Sequence, residues 1–392
     1  MAYHKIFRNN SLRLFFAVII GILVGKYANQ DVISVVLPIK YVLGQIIFFL
    51  IPLIIFGFIT PAITRLKQNA SKLLGISLAL AYLSCLGSAT LGGVVGYTTI
   101  PLLHIVPAGE SVKKIPEMLF RLDIPPLMSV LSALVFALVV GLAVIWTKSE
   151  KVEVLLNEIQ DLVFVMVKKI LLPILPLFIA ANFCVLGYEG ALASRLPVFF
   201  AIILITVSCH IVWISFLYIS SGLYSKKNPW HVLKYYGPVA ITALGTQSSA
   251  ASLGVAIEQT KKSPLLKRDD VRDFTIPLFG NVHFPGSILD ITFLTIAVSQ
   301  LLYGAVPDLE KMIVFIPLLA IFAIAAPGLP GGTLITSLGL IHAVLGIDEA
   351  GTALMISIFA LLDSFGTTHN ITSDGSLSLA LTTFVENKKA SQ

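Results

Sequence analysis

The sequence predicts an all-α integral membrane protein, with eight transmembrane helices and two re-entrant helical hairpins that form inverted repeats. Of the 392 residues, 56% are hydrophobic and only 12% are charged, whereas about 25% of the residues in a soluble domain are charged. Apolar runs of about 20 residues, the length that crosses a bilayer, recur along the chain. Two further apolar runs are interrupted at their centres by Gly, Pro and Ser, which is typical of helices that enter the membrane and turn back.

The first six predicted spans are continuous apolar runs. They lie at roughly 12–30, 36–63, 73–100, 127–147, 160–185 and 197–223. Basic residues follow the second, fourth and sixth runs, and the segment before the first run is basic as well. Because Lys and Arg are enriched on the cytoplasmic side of membrane proteins, both termini are predicted to be cytoplasmic. These loops also account for the net charge of +6, so no nucleic-acid partner is expected.

Beyond the sixth span the pattern changes. An apolar segment broken at "GTQSS" is followed by the basic loop "KKSPLLKRDDVRD", which belongs in the cytoplasm, so the segment is predicted to return as a first hairpin at about 232–262. Residues 274–302 then cross the membrane with an interruption at "GNVHFPGS". A second hairpin at about 311–345 turns at "PGLPGG", and residues 350–386 form the last span. Broken helices at corresponding places in two halves predict a binding site between them.

A polar stripe on the last span is the strongest candidate site. Asp363, Thr367, Asn370 and Asp374 fall within an arc of roughly 60° on an α-helix. An ionised aspartate near the bilayer centre costs about 3 kcal/mol or more, so two on one stripe favour a functional role over a structural pair satisfied by neighbouring helices. Their oxygens suit Na⁺ or a substrate ammonium. His369 lies off the stripe and is predicted to have a packing role.

Taken together, these features resemble the dicarboxylate/amino acid:cation symporter family, which has the glutamate-transporter fold. The resemblance covers nearly the whole chain. It rests on the serine-rich first tip "TQSSAAS", the second tip "GLPGG" and the last-span pattern D-x-x-x-T-x-x-N-x-x-x-D. It implies an elevator-type secondary transporter, a homotrimer in the plasma membrane (the bacterial inner membrane), with no resident cofactor and with Na⁺ or H⁺ as the coupling ion.

The resemblance also implies a division into two parts. The scaffold would consist of residues 1–71, which contain the first and second spans, and residues 103–190, which contain the fourth and fifth spans. The moving transport domain would consist of residues 72–102, which contain the third span, and residues 191–392, which contain the sixth to eighth spans and both hairpins.

The implied site residues come from the two tips, the broken seventh span and the last span. Asp363 would hold the substrate amino group. The remaining implied substrate-binding residues are Gln247, Ser248, Ser249, Ser287, Leu329, Gly331, Thr333, Gly366, Thr367 and Asn370. The implied cation ligands are Phe279, Asn281, His283, Asn370 and Asp374.

The sequence departs from the family pattern at charged positions. The arginine that members selective for acidic substrates carry in the last span is Gly366 here, and the arginine of some first tips is Gln247, so a side-chain carboxylate would lack a bidentate partner. This favours a small neutral amino acid. The aspartate of the broken seventh span is Pro285, so one sodium site has lost its charge, and His283 replaces an amide ligand and is suited to carry a proton. Asp290 has no role in the family pattern and is expected to face the first hairpin.

Four alternatives differ in class. A proton-coupled carrier or exchanger of a dicarboxylate or other organic anion is the nearest alternative. An intramembrane hydrolase using Ser248 or Ser249 is disfavoured, because neither lies in a nucleophile elbow or near a base in sequence. A channel would give flux without saturation, and a binding protein would give no flux. The sequence therefore predicts a transporter and no enzyme.

Overall fold

Helices account for all the regular secondary structure in the part of the chain that the structure describes. The computed structural model describes residues 10–68, 72–103, 113, 115–190 and 192–390. The first seven helices are α1 (Asn10–Tyr27), α2 (Gln30–Gln68), α3 (Lys72–Thr99), α4 (Val130–Thr147), α5 (Glu150–Met166), α6 (Leu172–Glu189) and α7 (Leu192–Ser225). The remaining helices are α8 (Trp230–Leu233), α9 (Gly237–Thr246), α10 (Ser249–Thr260), α11 (Asp269–Val282), α12 (Pro285–Tyr303), α13 (Leu309–Ala325), α14 (Gly332–Leu340) and α15 (Glu349–Ala390).

Six helical stretches among the described residues are long and apolar enough to cross a membrane. They are Gln30–Pro61, Leu73–Leu103, Glu150–Glu189, Pro197–Ser225, Asp269–Tyr303 and Ala350–Asn387. These correspond to the second, third, fifth, sixth, seventh and eighth predicted spans. The predicted first and fourth spans form α1 and α4, which have 18 residues each but shorter apolar stretches, so the count of eight spans stays a prediction.

The fifth span is longer than its apolar run predicted. Helix runs from Glu150 to Glu189, well beyond the predicted 160–185, with a wide π-turn at Val167–Leu171. In this turn the Leu172 N–H donates to the Val167 carbonyl. Pro173 follows at once and has no N–H to donate, so the wider turn absorbs the missing helical hydrogen bond.

Both predicted hairpin turns are confirmed. In the first, α9 ends at Thr246 and α10 begins at Ser249. Between them Gln247 adopts a left-handed conformation with φ 52°, and the Ser248 hydroxyl caps α10 by accepting from the Ala251 N–H. In the second, "PGLPGG" supplies the turn between α13 and α14, because its two prolines lack the N–H groups that a continuous helix needs.

The predicted interruption of the seventh span is confirmed as well. His283 and Phe284 separate α11 from α12 and have non-helical backbone angles. Pro285 begins α12, where its missing N–H costs nothing and its fixed φ suits the first helical turn.

The helices pack in two groups, and α15 is central to the second. In the first group α1 packs on α6, and α2 packs on α4, α5 and α6. Gly21 and Gly25 of α1, spaced as in close-packed membrane helices, lie against the backbone of Ala180 and Cys184 on α6. In the second group α15 is surrounded by α7, α9, α11 and α12, and α3 packs along α12. The tips of both hairpins and the break between α11 and α12 each form a hydrogen bond with α15 near its polar stripe.

Gly286 sets the approach of α12 to α15. A Cβ at Gly286 would meet the Gly366 carbonyl and the His369 Cβ, whereas a Cβ at Gly254 would have no atom within 4 Å. We expect Gly286→Ala to lower the free energy of unfolding by about 1–3 kcal/mol through overpacking, and Gly254→Ala to leave it unchanged or raised. Melting temperatures of the purified variants measure this. Equal melting temperatures would contradict the close approach.

Candidate functional site

Asp363 connects α15 to the tip of the second hairpin. The side chain is buried, and its Oδ2 accepts a hydrogen bond of 2.7 Å from the Gly331 N–H. Its Oδ1 accepts a longer bond, 3.3 Å, from the Thr367 hydroxyl one turn further along α15. Because these donors are neutral, they leave the charge of an ionised Asp363 uncompensated, and the carboxylate retains lone pairs for a further donor.

Asn370 holds the start of α12. Its Oδ1 accepts from the Gly286 N–H at 2.8 Å and the Ser287 N–H at 3.2 Å. Its Nδ2 donates to the Ser287 hydroxyl at 2.8 Å. The first N–H groups of a helix have no partner within the helix, so this amide satisfies two of them at the break.

Asp374 pairs with a histidine from the same break. His283 Nδ1 lies 2.8 Å from Asp374 Oδ1, and His283 Nε2 lies 2.8 Å from the Ser84 hydroxyl of α3. One turn along α3, Ser88 donates to the Pro285 carbonyl at 2.8 Å. The break is therefore held from both sides, by α15 and by α3.

The two hairpin tips meet each other and α15. The Gly328 carbonyl of the second tip accepts from the Ser248 hydroxyl at 2.7 Å and from the Ala250 N–H at 3.1 Å. Gln247 Nε2 of the first tip donates to the Ala360 carbonyl at 3.1 Å. These contacts satisfy backbone groups that a continuous helix would have paired internally.

A small cavity of about 10 Å³ lies where the tips, the break and the stripe converge. It is lined by Gln247, Ser249, Phe284, Ser287, Pro327, Gly328, Leu329, Thr333, Asp363, Thr367 and Asn370. Eight of the eleven predicted substrate-binding residues are among them. This volume is far below the roughly 300–1,000 Å³ that is usual for drug-sized ligands, so the two tips close tightly around the stripe.

Three predicted substrate-binding residues do not line this cavity. Ser248 uses its hydroxyl to cap α10 and to join the tips. Gly331 places its N–H on Asp363 and lines a neighbouring cavity between α1, α6, α14 and α15, whose mostly apolar lining also includes Arg13 and Asp363. Gly366 faces away from the cavity, because the Asp290 carboxylate fills the space into which a side chain at Gly366 would project.

The predicted cation ligands converge only in part. His283 and Asp374 are in contact, and Asn370 lies one helical turn away. The Phe279 carbonyl accepts the His283 N–H within the helix at 2.9 Å. Asn281 is exposed and donates to the Pro277 carbonyl, so it does not reach Asp374. No cluster of three or more His, Cys, Asp and Glu side chains occurs among the described residues.

The sequence analysis did not predict several of the polar contacts around the site. His369 is fully buried and does more than pack, because its Nδ1 lies 3.0 Å from His210 Nδ1. Asp290 lies against Gly366 on α15 and 3.0 Å from His210 Nε2, so the expectation that it faces the first hairpin was wrong. A histidine inside the apolar sixth span was the available signal, since ionisable residues in membrane spans are rarely without a function. Ser84 and Ser88 gave no comparable signal.

The sequence model of the sodium:dicarboxylate symporter family matches residues 11–384 of this chain. The chain belongs to this family. The family resemblance drawn from the sequence motifs is thereby confirmed. Members of the family are transporters and not enzymes, so the hydrolase alternative is set aside.

The individual relatives of this symporter-family chain share only low sequence identity with it. Excitatory amino acid transporter 3 of Bos taurus and of Homo sapiens are each 27% identical to it over 256 residues, which are 63% of this chain and 47% of each relative. Neutral amino acid transporter B(0) of Bos taurus is 24% identical over 253 residues, which are 63% of this chain and 46% of that protein. The aligned part spans about half the length of these relatives.

The contact between the tips gives a test of the site. Ser248→Ala removes both a helix cap and the link to Gly328, whereas Ser129→Ala removes the cap of α4 alone. Each change should lower stability by about 1 kcal/mol. Only Ser248→Ala should also raise the rate at which a maleimide labels a cysteine introduced by Leu329→Cys, by about tenfold, because it removes one of the two hydrogen bonds that hold the Gly328 carbonyl of the second tip. Equal labelling in both variants would show that the link does not close the site.

Proposed function

We propose that this chain is a Na⁺-coupled symporter that carries a small neutral amino acid across the bacterial inner membrane by an elevator movement. The observation that carries the proposal is the cavity around Asp363. It is small, it is closed by both hairpin tips, and its lining includes one carboxylate and neither Lys nor Arg.

The cavity suits the two charged groups of an amino acid. An ammonium taken from water into a buried cavity needs a countercharge, which Asp363 supplies. The α-carboxylate of the substrate fits the start of α10 at Ser249, where the helix dipole favours negative charge. Hydroxyl groups from Ser287, Thr333 and Thr367 are available for the remaining hydrogen bonds.

The preference for a neutral side chain follows from Gly366. A second substrate carboxylate would need a guanidinium or an ammonium, and neither lines the cavity. Asp290 occupies the side-chain space at Gly366, which adds negative charge behind the position where an arginine would be required. For the same reason, the alternative of a proton-coupled carrier or exchanger of a dicarboxylate or other organic anion is less well supported.

We assign Na⁺ coupling to Asp374. A neutral His283 satisfies Asp374 Oδ1, while Asp374 Oδ2 is buried and receives no hydrogen bond from the described residues. Carboxylate oxygens are hard ligands that suit Na⁺, and a cation here would compensate the buried charge. The carbonyl of Phe279 is the predicted backbone ligand, and one turn earlier Asn370 lies on the same face of α15. Their participation is part of the proposal.

The two packing groups support the elevator movement. The group of α1, α2, α4, α5 and α6 matches the scaffold implied by the family resemblance, residues 1–71 and 103–190. The group around α15 lies within the implied transport domain, residues 72–102 and 191–392, and every residue that lines the cavity falls in the same range. The homotrimer, the orientation with both termini in the cytoplasm and the division into a fixed and a moving part rest on the family resemblance and on the charge pattern.

Uptake into proteoliposomes tests the transport function. We expect radiolabelled L-serine to accumulate under an inward Na⁺ gradient at constant pH and not under a K⁺ gradient. L-aspartate should compete at least ~10-fold more weakly than L-alanine, because a missing bidentate partner removes more than about 1.4 kcal/mol. Asp374→Asn should abolish the Na⁺ drive. Accumulation that does not depend on the Na⁺ gradient would rule out sodium symport. Stronger competition by L-aspartate than by L-alanine would overturn the assignment of a neutral substrate.

Asp363→Asn tests the ammonium site. The amide oxygen can still accept the Gly331 N–H, so the tip should stay closed, but the countercharge is gone. We expect L-serine affinity to fall at least ~100-fold, since an uncompensated buried charge is worth about 3–5 kcal/mol. Asp308→Asn is the control, because Asp308 is an exposed acid paired with Lys311. Thermal-shift titration with L-serine measures both. Unchanged affinity in a folded Asp363→Asn protein would place the amino group elsewhere.

A further inference from the structure

A cavity of about 380 Å³ lies between the two packing groups and shares no residue with the substrate cavity. One wall comes from α2 and α6, at Lys40, Phe48 and Phe178. The opposite wall comes from Asp348 and from the start of α15 at Ala350. The volume lies within the range of roughly 300–1,000 Å³ that is usual for ligand pockets. A ligand seated here would therefore contact both packing groups at once.

Lys40 is a charged residue of this cavity that lacks a direct partner. Its side chain is partly buried, and it forms no hydrogen bond or ion pair with another described residue, although Glu189 at the end of α6 attracts it from further away. Asp348 on the opposite wall is exposed and accepts from the Tyr303 hydroxyl at 2.7 Å and from the Gly351 N–H at 2.9 Å. An ammonium can only donate hydrogen bonds, so Lys40 is available to an anionic ligand.

The rest of the lining is mostly apolar. Leu37 and Phe48 lie on the same side of α2 as Lys40, and Phe178 faces them from α6. Gly44 lies between them and leaves the space open, because a Cβ at this position would meet only the Phe178 ring, at 3.4 Å. A ligand with a negative head and an apolar chain matches this surface, whereas a free inorganic anion would leave the apolar part unused.

The position of Lys40 along α2 corresponds to the level of lipid headgroups. The stretch Gln30–Pro61 is about 48 Å long, whereas the hydrocarbon core of a bilayer is about 30 Å thick. Lys40 lies about 15 Å along the axis from Gln30, which is close to one boundary of that core. A lysine at this depth extends its ammonium toward the headgroups. With both termini in the cytoplasm, as the charge pattern predicts, this boundary belongs to the outer leaflet.

We propose that this cavity binds the headgroup of an anionic phospholipid of the outer leaflet, phosphatidylglycerol, with its phosphate on Lys40. The acyl chains run along the apolar surfaces of α2 and α6, and a glycerol hydroxyl donates to Asp348. Because the walls belong to both packing groups, the bound lipid holds the two groups in this arrangement and slows their relative movement. This effect on movement rests on the transport function proposed above, whereas the binding of the lipid does not.

A thermal-shift titration tests the site directly. The probe is dioctanoyl phosphatidylglycerol, added to the purified protein in detergent, and its binding raises the melting temperature by mass action. We expect a saturable increase for the unaltered protein. Lys40→Met should weaken the apparent affinity at least ~10-fold, which corresponds to about 1.4 kcal/mol. Lys26→Met is the matched control and should behave as the unaltered protein, because Lys26 is an exposed lysine at the end of α1, on the same predicted side of the membrane.

Two further probes separate the possible sources of the phosphate. Dioctanoyl phosphatidylcholine has the same chains and phosphate but no net charge, and inorganic phosphate has the charge but no chains. Each should bind the unaltered protein at least ~10-fold more weakly than phosphatidylglycerol. Equal affinity of Lys40→Met and the unaltered protein for phosphatidylglycerol overturns the site, as does equal affinity for phosphatidylcholine. Equally tight binding of inorganic phosphate overturns the assignment of a lipid.

Uptake measurements test the effect on movement. Proteoliposomes of phosphatidylcholine with and without phosphatidylglycerol receive L-serine at saturating Na⁺. We expect phosphatidylglycerol to slow initial uptake at least ~2-fold in the unaltered protein and in Lys26→Met, because the lipid favours one arrangement of the two groups, and to leave Lys40→Met unchanged. Equal rates in both membranes for the unaltered protein overturn the effect on movement. If L-serine is not transported at all, the proposed function fails, and the titration decides the lipid site on its own.

Discussion

The structure depends on how the backbone is satisfied where membrane helices are broken. A helix pairs its own N–H and C=O groups, but two hairpin tips and one interrupted helix leave several of them unpaired in the packed interior. Side chains at the tips and on α15 supply the missing partners. Asn370 accepts two N–H groups at the start of α12, Asp363 accepts one from the second tip, and Ser248 joins the two tips. Without these bonds the tips and the break could not remain between packed helices.

The same atoms therefore hold the fold and form the site. The carboxylate that would receive a substrate ammonium is held by the Gly331 N–H, so the second tip lies over Asp363. A ligand has to add to these bonds or exchange with them, which couples binding to the position of the tip. The cavity is small because its walls are residues that also bond to one another. This gives a physical reason why hairpins and polar stripe occur together.

Buried acids in this region are compensated in three different ways. Asp363 has a backbone N–H and a hydroxyl, Asp374 has the imidazole of His283, and Asp290 has the imidazole of His210. Only the first lies in the wall of the cavity. Each of these acids is therefore held by a different kind of partner, and only Asp363 is placed to meet an occupant of the cavity.

The sequence by itself determined the helical membrane fold, both hairpin turns, the break at His283 and the polar face of α15. These features depend on local properties of the sequence, because the length of an apolar run, the position of a proline and helical periodicity each act within one to five turns of helix. The tertiary structure alone decided what each polar side chain meets. His283 contacts Asp374 and Ser84 across 91 and 199 residues of chain, and Gly366 faces Asp290 where the sequence pattern suggested an open binding position. Such contacts depend on the distance between two packed helices and on the rotation of each helix about its axis. Helical periodicity predicts the face on which a residue lies but not the residue that it contacts on another helix.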